Sequence, residues 1–65
     1  MMKAVALRDK TVAQLSEELH ALRRERLKLR MQRSQGDEVP VHRFKEIRQT
    51  IARIMTVITE KERAQ

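Results

Sequence analysis

The only glycine, Gly36, and the only proline, Pro40, lie close together near the middle of a 65-residue chain. Every other position can belong to a helix, so the chain divides into two uninterrupted runs around one short break. Thr11 reads as the N-cap of the first run, and Gln14 three residues later completes a Thr-x-x-Gln capping box. Apolar residues then fall at Val12, Leu15, Leu19, Leu22 and Leu29, at the three- and four-residue steps that place side chains on one helical face. With no breaker before Gln35, the helix is expected to run for about six turns. Gly36 is placed to end it as the residue after the C-cap. Asp37 and Glu38 make a polar connection, and Pro40 suits the first position of a second helix, with the two acids near its positive end.

The second run has the cleaner pattern. Phe44, Ile47, Ile51, Ile54 and Ile58 repeat at helical spacing, with Val41 and Met55 alongside. Isoleucine also suits strands, but a strand would alternate with period two, and this run does not. Two helices joined by about four residues run antiparallel. The sequence therefore predicts an all-α fold, a long antiparallel two-helix hairpin with helix 1 over about 12–35 and helix 2 over about 40–62. Residues 1–65 form one helical-hairpin domain in this reading. The register sets Leu29 near Ile47, Leu22 near Ile54 and Leu15 near Ile58. Residues 1–10 form a lead-in anchored by Leu7, and the tail from Glu60 is expected to be solvated and to fray.

A chain this short buries little surface, and small domains usually need a disulfide, a metal or a partner to be firm. There is no cysteine, which removes disulfides and thiolate metal sites. His20 and His42 have no clustered ligands beside them, so no metal is expected. No apolar run approaches the ~20 residues that span a bilayer, and the N-terminus is too short and too soon charged for a signal peptide. The expectation is a soluble, cytoplasmic chain that acquires its firmness from a partner and has no membrane association.

The chemistry of that partner follows from Arg23 to Arg33, which reads Arg-Arg-Glu-Arg-Leu-Lys-Leu-Arg-Met-Gln-Arg. Six cations and one acid give it a local charge of +5 in a chain whose net charge is +6. Residues 1–22 and 54–65 are each neutral, and 36–53 carry +1. In a hairpin the positive field therefore concentrates at the loop half, where Arg23, Arg24 and Lys28 are candidate contacts for a polyanion. One Phe and no Tyr or Trp leave no aromatic platform for stacking single-stranded bases. Phosphate contacts and recognition of a folded nucleic acid by shape fit better. Leu27 and Met31, four apart, point away from the Leu15–Leu22 face, either as gap fillers under the loop or as a contact surface for a second protein. Arg26 and Arg33 fall near the seam. No phosphate loop, nucleophile–base set, paired inward carboxylates or metal spacing occurs, and a hairpin encloses no pocket. The expectation is a non-enzyme with no cofactor and no small-molecule substrate.

Taken together, Lys3-Ala4, Leu7-Arg8, Leu29-Arg30-Met31-Gln32, Gly36, Ile47-Arg48, Ile51-Ala52-Arg53-Ile54 and Thr56 make the chain resemble the family of bacterial ribosomal protein twenty-nine of the large subunit. The resemblance runs in order through nearly the whole chain. It implies a helical hairpin, a structural constituent of the large ribosomal subunit that binds 23S ribosomal RNA near the polypeptide exit tunnel. It also implies ribosomal protein twenty-three as a neighbour, at a rim where chaperone and targeting factors dock. Carried over by position, Arg30, Gln32, Arg48 and Arg53 are the expected RNA-facing residues. The chain departs from the family pattern at Gln49 and Met55, where cations are common, and at Val5 and Ala6, where a polar pair is usual. Arg23, Arg24 and Arg26 are a surplus that offsets the two missing cations.

Two other readings stand beside this one. A basic coiled-coil module for protein interaction or DNA binding would use the isoleucine seam of helix 2. A basic zipper, however, runs unbroken into its zipper, and Gly36 and Pro40 interrupt this chain. A small all-helical enzyme similar to chorismate mutase would need a third helix and an enclosed polar pocket.

Overall fold

The computed structural model describes residues 4–64 and contains three helices: α1 (Ala4–Arg8), α2 (Val12–Ser34) and α3 (Val41–Arg63). Lys3 of the family pattern lies outside the described residues. Helices α2 and α3 are the expected helix 1 and helix 2. They pack antiparallel in a rod with extents of 46 × 17 × 14 Å, and α1 folds back against α3.

The ends of α2 are built as their residues dictate. Thr11 is extended at φ −73° and ψ 161°. Its hydroxyl accepts from the Gln14 N–H at 3.1 Å, and the Gln14 side-chain oxygen accepts from the Thr11 N–H at 2.9 Å. Two of the donors that a helix start leaves without partners are thereby satisfied. At the other end Gly36 sits at φ +88°, a conformation that a side chain disfavours. The turn it makes lets the Asp37 N–H reach the Gln32 carbonyl at 3.0 Å and the Gly36 N–H reach the Arg33 carbonyl at 3.1 Å, the paired bonds of a Schellman motif.

Pro40 is the N-cap of α3, at φ −70° and ψ 111°, and not its first helical residue. Its carbonyl accepts the Arg43 N–H at 3.0 Å. The one-position difference has a physical reason. The extended ψ of Pro40 turns the chain into the helix axis, and Val41 is the first residue with helical backbone.

Leu7, Leu15, Ile54 and Val57 form the buried core, with Leu19, Leu22 and Ile58 packed on it. Leu15 and Leu22 thus share one cluster with Ile54 and Ile58, as the antiparallel register requires. Ile47 and Ile51 extend the buried line of α3 toward the loop. The isoleucine seam is covered from within the chain, by α2 and by Leu7 of α1, which removes the surface that a coiled-coil dimer would use.

Four details differ from the sequence reading. Val57 and Thr50 are buried although the isoleucine spacing does not include them. Both lie on the flank of α3 one step round from Ile54 and Ile47, so the seam is wider than a two-position stripe. Val41 and Met55 are 74% and 48% exposed and not part of the seam. Met55 follows Ile54 by one residue, a rotation of about 100°, which carries it to the rim. Arg33 is likewise exposed, whereas Arg26 is half-buried as expected. Finally, the tail does not fray at Glu60. Helix α3 continues to Arg63, Glu60 pairs with Arg8, and the Lys61 Nζ donates to the Arg8 carbonyl at 2.9 Å.

The Leu7–Leu15–Ile54–Val57 cluster lies at the terminal half of the rod. The loop half keeps Ile47 and Ile51 buried and adds an ion cluster. Arg43 donates to Glu25 through Nε at 2.5 Å and Nη2 at 2.6 Å, and to Glu46 through Nη1 at 3.3 Å. A bidentate guanidinium–carboxylate pair fixes direction as well as distance, so this cluster adds a directional tie between α2 and α3 beside the buried Ile47.

Candidate nucleic-acid interface

Successive residues of α2 advance by about 100°, which gathers Leu27, Met31, Arg24 and Lys28 on the side away from Leu15 and Leu22, with Arg23 and Arg30 along its edge. All six are exposed. Leu27 and Met31 are 58% and 54% exposed, so they do not fill a gap under the loop. They form an apolar island between cations.

Glu25 is the one acid between Arg23 and Arg33, and its direction decides the field of this face. It turns inward to Arg43. The Arg43 hydrogen bonds, set against some desolvation and helped by the Arg43 and Lys28 charges, hold its carboxyl below the usual carboxylate range. The same bonds make Arg43 hold its proton more firmly than an ordinary guanidinium. Among the described residues no carboxylate pairs with Arg23, Arg24, Arg26, Lys28, Arg30 or Arg33. The loop half of α2 therefore presents its positive charge uncompensated, on a helix held from behind.

The remaining candidates are dispersed. Gln32 is half-buried and its backbone carbonyl serves the helix end. Arg48 and Arg53 are both exposed but lie on opposite flanks of α3, five residues or about 140° apart. Arg53 lines a shallow groove between α1 and α3 together with Arg8, Ala52, Thr56 and Val57. Charge counting by segment does not single out Arg8, because its partner Glu60 is 52 residues away in sequence. Nor does it pair Glu25 with Arg43. Only the i,i+3 spacing of Arg43 and Glu46 is readable locally.

His20 and His42 are exposed, and among the described residues no group of three or more His, Asp or Glu is placed to hold a metal ion. No helix among them is long and apolar enough to cross a membrane. What the fold and this face define is a small all-helical, polycationic protein in which, among the described residues, the loop half of α2 carries an uncompensated positive face. The chain matches the model of the family described as Ribosomal L29 protein over residues 6–61. It belongs to that family. It is accordingly a structural protein of the large ribosomal subunit and not an enzyme, with ribosomal RNA and ribosomal proteins as its partners in general and the cytoplasmic ribosome as its place.

Proposed function

We propose that the loop half of the hairpin binds 23S ribosomal RNA near the polypeptide exit tunnel, with α2 as the principal contact. The observation that carries this is the direction of Glu25. By pairing with Arg43 it leaves the exposed cations of α2 without counter-ions. Arg23, Arg24, Lys28 and Arg30 neutralise phosphates and release condensed counter-ions, so affinity falls steeply with salt. Arg48 and Arg53 add contacts from the two flanks of α3, and Gln32 a hydrogen bond at the loop end. Specificity comes from matching a rod of defined charge spacing to a folded RNA.

Leu27 and Met31 serve a protein neighbour. An exposed apolar pair ringed by cations suits a protein surface at the edge of the RNA better than RNA itself. In this reading ribosomal protein twenty-three is that neighbour, with chaperone and targeting factors at the same rim.

The test is binding of the purified chain to deproteinised large-subunit ribosomal RNA across a salt series. Wild type should show a steep linear dependence of log affinity on log salt. Arg24→Gln and Arg30→Gln should each flatten that slope by about one unit or slightly less. Slopes equal to wild type would remove α2 from the interface.

A further inference from the structure

Helix α2 starts without help from α1. The Thr11 N–H donates to the Gln14 side chain, the Thr11 hydroxyl accepts from the Gln14 N–H, and the Lys10 Nζ pairs with Glu18 of the same helix. The chain is therefore anchored to α2 from Lys10 onward, with or without α1 in place. Helix α1 is the opposite case. Its five residues are far fewer than the ~12–15 that an isolated helix needs, so it is helical only while it is docked. Among the described residues its ties to α3 are the buried Leu7 side chain, the Lys61 Nζ bond to the Arg8 carbonyl at 2.9 Å, and the Arg8–Glu60 pair at 3.2 Å. Both side chains of that pair are about half exposed, which makes it a weak tie.

The core around Leu7 does not collapse without it. Leu7 packs with Leu15, Ile54 and Val57, backed by Leu19, Leu22 and Ile58. When Leu7 leaves, the leucines of α2 still face Ile54 and Ile58 of α3. Toward the loop, Ile47 stays buried beside the Arg43–Glu25 pair. Removal of α1 thus uncovers one flank of α3, at Val57, and leaves the two-helix seam closed. The exposed Asp9 alone separates Arg8 from the Lys10 anchor, which makes it the hinge.

We propose that α1 is a strap: it opens as a unit about Asp9, loses its helix as it leaves, and uncovers the Val57 flank of the core while α2 and α3 stay packed. The rod then has two levels of stability. The terminal end opens by release of one apolar anchor, and the loop half opens only when the whole hairpin unfolds. A partner that touches docked α1 selects the closed form, and one that touches only the loop half leaves the strap equilibrium unchanged. The inference stands independently of the RNA reading above.

The chain has no cysteine, so a thiol placed in the core reports its own exposure. In the full chain, Val57→Cys and Ile47→Cys are each reacted with an aromatic disulfide below the urea unfolding transition. Val57→Cys should label at least about ten-fold faster and with a shallow urea dependence, because opening the strap exposes little surface. Ile47→Cys should follow the steep dependence of global unfolding. Glu25→Gln weakens a tie present in both the closed and the opened form. It should leave the Val57→Cys rate unchanged and speed Ile47→Cys by about two- to five-fold. Leu7→Ala removes a tie present only in the closed form and should speed both. Equal rates and urea dependences at the two thiols, or acceleration of both by Glu25→Gln, would overturn the proposal. If Val57→Cys does not fold, amide exchange of the cysteine-free chain decides. The Lys10 N–H, bonded to the Leu7 carbonyl at 3.1 Å, should exchange faster in Leu7→Ala and at the wild-type rate in Glu25→Gln. A response to both substitutions, or to neither, overturns the strap.

Discussion

Replacing Glu25 by Gln separates the two things that this side chain does, because its effects on stability and on RNA binding have opposite signs. The substitution keeps shape and removes charge. It breaks a bidentate pair at 2.5 and 2.6 Å whose side chains are 36% and 37% exposed. Exposed ion pairs contribute about 0.2–1 kcal/mol, and ideal bidentate geometry places this one at the upper end, about 1 kcal/mol. In a domain of this size that amounts to roughly 4–8 °C in melting temperature. The pH dependence has a definite sign. Glu25 is held below its ordinary value of 4.5 by Arg43, so its contribution is present above the ordinary carboxylate range and lost as pH falls through the lowered value. Wild type and Glu25→Gln should therefore differ at neutral pH and converge in acid, once pH has fallen through the lowered Glu25 value. Ribosomal RNA binding at neutral pH should not weaken, since the basic segment has lost its one acid. Thermal unfolding followed by circular dichroism at both pH values, with RNA titration at low salt, measures all three. Equal melting temperatures at neutral pH, or a difference that persists in acid, would refute the role given to the ion cluster. Weaker RNA binding by a folded variant would refute the view that Glu25 is turned away from the interface.

Other expectations follow from single positions. Gly36→Ala should cost about 1–2 kcal/mol through backbone conformation alone, since an added Cβ meets nothing within 4 Å; the melting temperature should fall with RNA affinity per folded molecule unchanged. Leu7→Ala removes a fully buried core side chain and should cost about 2–5 kcal/mol, with amide exchange speeding first in α1 and at Val57. Leu27→Ser with Met31→Ser, both exposed, should change stability by no more than about 0.5 kcal/mol per site while weakening capture of the neighbouring ribosomal protein on RNA-bound complexes; undiminished capture would leave the pair without a partner.

How much of this was legible beforehand depends on the range of the interaction concerned. Capping, helix termination and the facing of side chains are local. Thr11 with Gln14, the glycine at 36 and the three- and four-residue spacing of Leu15, Leu22, Ile47 and Ile54 each act within one or two turns. The hairpin therefore followed from the chain alone, as did the concentration of charge at Arg23 to Arg33. The misreading at the start of α3, Pro40 as the first helical residue, concerns a single backbone angle that no neighbouring side chain betrays.

What the tertiary structure decided is which charges are spent and which remain. Glu25 could not be removed from the basic face until α3 brought Arg43 to within hydrogen-bonding distance, 18 residues away in sequence. Leu27 and Met31 could not be called exposed until α3 packed on the opposite face of α2 and left them uncovered. Val57 is buried because α1 folds back onto α3 and seats Leu7 beside it, a placement that no periodicity encodes. Periodicity specifies direction around one axis. Burial and ion pairing depend on where a second axis passes, so the sequence determined the two long helices and their charge, and only packing determined the surface left to bind.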